Sequence, residues 1–253
     1  MKSDIPLPRP GKLSAILGAG VFALAILGGA SVWLHFGRGR TGDMGLGSFF
    51  YLEYEANLPS WYSAMLLLAS GLLLLAIARV KWVAGDRFRR HWFGLGVLFV
   101  VFSADDISRA HEFTIAPIRS VLPVDGVFHY AWVIPALPFV FVVGILYIPF
   151  LFRLPPRTKA LFIVAGGLYV GAALGFELLT GAYAAQHGES NLGYATLVSI
   201  EEALEMVALV ILIHACLDYL QKQLGIVGIR WLKASSVKEA GGRAEQAGTE
   251  GGT

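Results

Sequence analysis

The chain has 253 residues, of which 56% are hydrophobic and only 15% charged, with a mean hydropathy of +0.63 and a formal net charge of +2. Soluble domains carry about 25% charged residues, so this composition excludes an ordinary globular enzyme, a disordered chain and a nucleic-acid binder. The single cysteine, Cys216, excludes an intramolecular disulfide and a cysteine-rich metal site.

A bilayer core about 30 Å thick needs roughly 20 apolar helical residues. Residues 13–34 supply the first such run without a charge. A secretory signal is the competing reading, because Lys2, Arg9 and Lys12 precede the run. The run is longer than the usual 7–15 residues, about, of a signal core and no A-x-A site follows it, so it reads as a first helix. The second run covers 61–78. The third stays uncharged only from 92 to 104, so a crossing helix must carry Asp105 and Asp106 with it. The fourth covers about 128–152, and Pro135 and Pro138 are expected to bend it. The fifth covers 160 to about 180 and exits near Glu177. Its Gly167, Gly171 and Gly175 form a small-residue stripe expected to pack closely on a neighbour. The sixth must begin before Glu201 and carry Glu201, Glu202 and Glu205.

The expected fold is therefore an all-α polytopic membrane bundle of six transmembrane helices. Residues 1–12 form the N-terminal segment, 13–220 the bundle, and 221–253 a tail that reads as disordered after about 233. With six spans and the N-terminus inside, sixteen of the twenty Lys and Arg residues fall in inner segments, which places both termini in the cytoplasm. Twelve of the eighteen acids fall on the other side.

That orientation brings residues from several helices to one depth in the outer leaflet. The third helix leaves through S-A-D-D-I-S-R-A-H-E at 103–112, the fifth through Glu177, and the sixth arrives through Glu201, Glu202 and Glu205, with His129 and Glu55 close by. Seven carboxyls would face one fixed cation, Arg109, and a low-dielectric bundle does not hold such an excess uncompensated. Protons or a bound cation must balance it, or the helices must end early in water. Helical spacing predicts that Asp105 and Glu112 share a face with Arg109 between them, paired to Asp105. The ligand set expected for a metal is Asp105, Asp106, His111, Glu177, Glu202 and Glu205, with Arg109, Glu112, His129, Glu201 and Glu55 supporting it. Carboxylates with one or two imidazoles favour Mn, Fe or Zn. His214 is expected to pair with Asp218 at i+4, and Glu53, Glu55 and Asp43 read as solvated loop acids. Neither a haem nor a nucleotide site is expected.

Three fragments then stand out: E-A-N-L-P-S-W-Y-S at 55–63, S-A-D-D at 103–106 followed by His111-Glu112, and E-E-A-L-E-M at 201–206. With Gly175-Phe176-Glu177 between them, they resemble a group of uncharacterised six-helix bacterial inner-membrane proteins over roughly 50–220. That resemblance implies a multi-pass inner-membrane location and names no activity. Ser103, Asp106 and His111 echo the zinc ligands of membrane hydrolases of the alkaline ceramidase type, but the H-x-x-x-H pair of those proteins is missing. The di-iron carboxylate pattern matches only in the i, i+3 spacing of Glu202 and Glu205, with Glu where His is expected. Three functions remain open from sequence: a metal or cation site that supports an enzyme, a proton- or cation-coupled transporter, and a non-catalytic subunit with a structural cluster. The lipid bilayer is the expected partner, a homo-oligomer is allowed, and nucleic acid is excluded.

Overall fold

The computed structural model describes residues 4–38, 45–54 and 56–230. Glu55, Asp43 and the tail expected to be disordered lie outside the described residues. The described chain is helical apart from one short antiparallel pairing of β1, Asp4–Pro6, with β2, Gly228–Arg230. The helices are α1 (Pro10–Phe36), α2 (Leu58–Val83), α3 (Arg89–Ser108), α4 (Ile115–Val121), α5 (Val133–Arg153), α6 (Pro156–Val170), α7 (Glu177–His187) and α8 (Leu192–Lys222). A wide π-turn, Gly171–Phe176, joins α6 to α7, so that Pro156–His187 is one continuous helix. The fifth helix thus runs well past Glu177 instead of ending there.

Four helices are long and apolar enough to cross a membrane: α1, α2, α5 and the joined α6–α7. The other two long helices carry the acids. α3 has 20 residues and α8 has 31, or about 30 and 46 Å at 1.5 Å per residue. Their starts and stops follow local chemistry. Asn57 caps α2 by accepting from the Ser60 amide at 3.1 Å, and Asn191 caps α8 by accepting from the Tyr194 amide at 3.0 Å. Prolines sit in the first turn of α1, α2 and α6, where no helical donor is lost. Pro135 sits in the first turn of α5 in the same way, so it breaks no hydrogen bond; Pro138 and Pro149 are the interior prolines.

α8 is the axis of the bundle. From Met206 to Leu220 it is buried on nearly every side, as an all-round apolar helix must be, and it touches α1, α2 and α6. Leu66, Leu67, Met206, Leu209 and Ile213 close one part of the core, and Leu74, Ile77, Trp92, Phe150 and Phe162 close another. His214 does not pair with Asp218. Its Nδ1 lies 3.0 Å from Ser14 Oγ on α1, while Asp218 is held by Lys222 at 2.7 Å and Arg157 at 3.3 Å. A neighbouring helix placed a hydroxyl within reach, and two cations outcompeted the imidazole for the carboxylate.

α2 and α3 form a hairpin around Gly85, whose φ of +66° suits glycine, and Asp86, which accepts from the Phe88 amide at 2.7 Å and pairs with Lys81 at 3.1 Å. That amide and ammonium outweigh the cost of partial burial and hold the Asp86 carboxyl below its ordinary range. A close helix approach lies here, not at the glycines of the fifth helix. A Cβ on Gly71 would meet Gly96 O at 2.9 Å and Val100 N at 3.0 Å, whereas Cβ atoms on Gly167, Gly171 and Gly175 would meet nothing within 4 Å. The expected glycine stripe therefore faces open space. Gly71→Ala should cost about 1–3 kcal/mol through overpacking against backbone. Gly167→Ala should be neutral or slightly stabilising through helix propensity. Thermal unfolding of both variants in detergent checks this, and equal effects would contradict it.

Candidate functional site

A cavity of about 500 Å³ opens where α3 ends and α8 begins. Its walls come from the end of α3, the turn after it, the first turns of α5, the α6–α7 helix and the first half of α8. Asp105, Asp106, His111, Glu177, Glu202 and Glu205 all line it, as do Arg109, Glu112 and Glu201. His129 does not line it; it sits at the rim, 3.0 Å from Asp125 and 3.4 Å from Glu189.

Helix periodicity explains the convergence. On α8, Val198, Glu201, Glu202 and Glu205 fall three or four residues apart and share one face. On the continuous α6–α7 helix, Tyr169, Ala173 and Glu177 do the same, and the π-turn lies between Tyr169 and Glu177. π-turns replace regular helix mostly at functional places.

The turn after α3 differs from a simple helical reading. α3 ends at Ser108 because Arg109 takes the left-handed conformation, φ +53°, and its amide donates to Asp105 O at 2.7 Å. The Arg109 side chain leaves the helix face and meets Glu112 at 2.6 Å instead of Asp105. Asp105 folds back on His111, accepting from its backbone amide at 2.9 Å and lying 2.8 Å from its Nδ1. Glu112 thus belongs to a separate turn, Glu112–Thr114, and not to the face of α3.

From His111 a chain of contacts runs inward. The imidazole packs on Trp132 with centroids 4.8 Å apart, and Trp132 Nε1 donates to Glu177 Oε1 at 2.9 Å. The Glu177 and Glu201 carboxyls line the same part of the cavity. Thr180 Oγ1 reaches Glu201 at 3.5 Å. Glu205, one turn further along α8 than Glu201, is half-buried, borders the cavity, and among the described residues receives no hydrogen bond.

Sequence reasoning missed Glu53, Trp132, Tyr169 and Tyr194, all of which line the cavity. The signal for Tyr169 was present, two turns before Glu177 on the same helix face. Glu53 gave none, since a loop folds it into the site. Tyr130 and Tyr194 share a hydrogen bond of 2.5 Å, and Tyr130 also donates to Glu189 at 3.0 Å. Burial pushes the Tyr51 and Tyr130 hydroxyls well above the ordinary phenol range, so both remain protonated. Asp125 is held below its ordinary range, first by its hydrogen bond with His129.

Among the described residues, no three His, Cys, Asp or Glu side chains are gathered as a ready-made metal site. The donor chemistry suits Mn, Fe or Zn, yet His111 Nδ1 is engaged by Asp105 and Glu177 by Trp132. The family model for DUF8692, a domain of unknown function, matches residues 14–220, a span that contains every residue lining this cavity. The chain belongs to this family. No curated protein and no solved structure matches it.

Burial raises the Glu53 carboxyl above its ordinary range, and the facing hydroxyls of Tyr51 and Tyr194 oppose that only in part. A carboxyl raised in the folded state destabilises the fold as pH climbs past the ordinary carboxylate value, and costs nothing below it. Glu53→Gln should therefore raise the melting temperature at pH 7 and lose that gain as pH falls to about 4. A gain that is independent of pH, or a loss at pH 7, would contradict this.

Proposed function

We propose that this DUF8692 protein is a six-span integral protein of the bacterial inner membrane, with both termini in the cytoplasm, and that its acidic cavity binds a cation from the outer side. Three observations support the membrane arrangement. α3 returns along α2, α8 ends beside the start of α1, and β1 pairs with β2 at that same end. An even number of crossings produces that geometry, and the Lys and Arg distribution orients it.

The observation that carries the functional reading is the convergence of nine carboxyls on one cavity, where no hydrogen bond reaches Glu205 among the described residues. Carboxyl groups inside a membrane are expensive and rarely left without a role. A cluster kept only for packing would be expected to satisfy each member, because a half-satisfied buried network costs more than an apolar one. Among the described residues no hydrogen bond reaches Glu205, which favours an external cation. Asp105, Asp106, His111, Glu177, Glu202 and Glu205 are the donors we propose for it, with Arg109, Glu112 and Glu201 holding them in place. A divalent Mn, Fe or Zn ion would draw on the same set, after His111 and Glu177 regroup.

Passage across the membrane is the less favoured reading. Beyond Glu205 toward the end of α8, the bundle is closed by Leu66, Leu67, Met206, Leu209 and Ile213. A transporter would need a polar path there.

The test is thermal unfolding in detergent with Mn²⁺, Zn²⁺, Na⁺ and alkylammonium salts. At a hundredfold excess over its Kd, a cation should raise the wild-type melting temperature by about 5–10 °C. Glu205→Gln should lose that response while keeping its fold. If no cation stabilises the wild type, or the variant responds equally, the cavity is not a cation site.

A further inference from the structure

The cavity has a size and a wall that a bare ion does not require. Metal ligands must converge to roughly 2.0–2.6 Å from one point. Here the space is about 500 Å³, and among the described residues no three acidic or imidazole side chains close on a point. Pockets of about 300–1,000 Å³ are those of small organic ligands. Between the carboxyls the wall is apolar and aromatic. Phe102 and Tyr169 stack with centroids 6.4 Å apart and planes 19° apart, and Phe139, Leu174 and Val198 extend the surface.

Charge defines the remaining chemistry. Glu205 lines the cavity, and no hydrogen bond among the described residues reaches its carboxyl, which leaves that carboxyl open to a ligand there. The guanidinium of Arg109 stands at the mouth with Glu112 rather than in the depth. A ligand carrying a phosphate or carboxylate would face this acidic wall unfavourably.

We propose that the ligand is an organic ammonium ion with an apolar or aromatic body. This rests on the cation reading above and narrows it. An ammonium group presents three N–H donors, which Glu205 and its neighbours on α8 accept. The faces of Phe102 and Tyr169 attract the cation through their quadrupoles, and the body replaces water against Leu174 and Val198. A free amine meets these demands. A phosphoethanolamine lipid headgroup has the same ammonium but brings its phosphate into the acidic wall.

The test is calorimetric titration of the full chain in detergent with benzylamine, with benzyl alcohol as its uncharged counterpart, with MnCl₂, and with a phosphoethanolamine lipid in the micelles. Benzylamine should bind, benzyl alcohol should not, and the lipid should not compete. Glu205→Gln should weaken benzylamine at least tenfold. Tyr169→Leu, which removes an aromatic wall and no charge, should weaken benzylamine several-fold and leave any Mn²⁺ binding unchanged. Equal binding of benzyl alcohol and benzylamine, or competition by the lipid, would overturn the proposal. Binding of Mn²⁺ without benzylamine would overturn it while sparing the cation reading. If neither binds, both readings fall.

Discussion

The structure turns on one electrostatic constraint. Carboxyl groups drawn from several helices share a cavity with apolar and aromatic side chains. In such surroundings an isolated ionised carboxylate costs far more than a folded protein's net stability. The fold answers with local devices at the rim: the Arg109–Glu112 pair, the Asp105–His111 clasp, and the indole of Trp132 on Glu177. Deeper in, the devices run out. Glu177, Glu201 and Glu205 all border the open space, with the Thr180 hydroxyl beside Glu201.

The same helix, α8, supplies both the problem and the barrier beneath it. Its first half carries Glu201, Glu202 and Glu205 on one face, and its second half is buried apolar on nearly all sides. The cavity is therefore open at one end and sealed at the other. The π-turn between α6 and α7 faces it across the gap, between Tyr169 and Glu177. α5 contributes Trp132 and Phe139 while keeping most of its length exposed, which fits a helix that meets lipid along one side.

Much of this was legible in the sequence. The uncharged run after His91 is too short to cross a bilayer, so a crossing third helix was expected to carry Asp105 and Asp106, and a sixth the acids at 201–205; the structure has those acids inside α3 and α8. That reasoning depends only on bilayer thickness and helix rise. What it misses are contacts set by tertiary placement. The left-handed turn at Arg109 depends on how α3 ends, and it moved the guanidinium from Asp105 to Glu112. Which glycines touch a neighbour depends on which helix face is turned inward, so the stripe at Gly167, Gly171 and Gly175 promised a contact that Gly71 and Gly96 make instead. Glu53 reads as a solvated loop acid until the loop folds over the cavity.

If protons neutralise the deep carboxyls in the empty protein, a cation that enters must displace them. The most direct measurement is the proton release that accompanies cation binding, followed in weakly buffered detergent solution near pH 7 for the wild type and for Glu205→Gln. The account predicts release of about one proton per cation bound in the wild type and neither binding nor release in the variant. Cation binding without proton release, or identical behaviour of the two proteins, would contradict it.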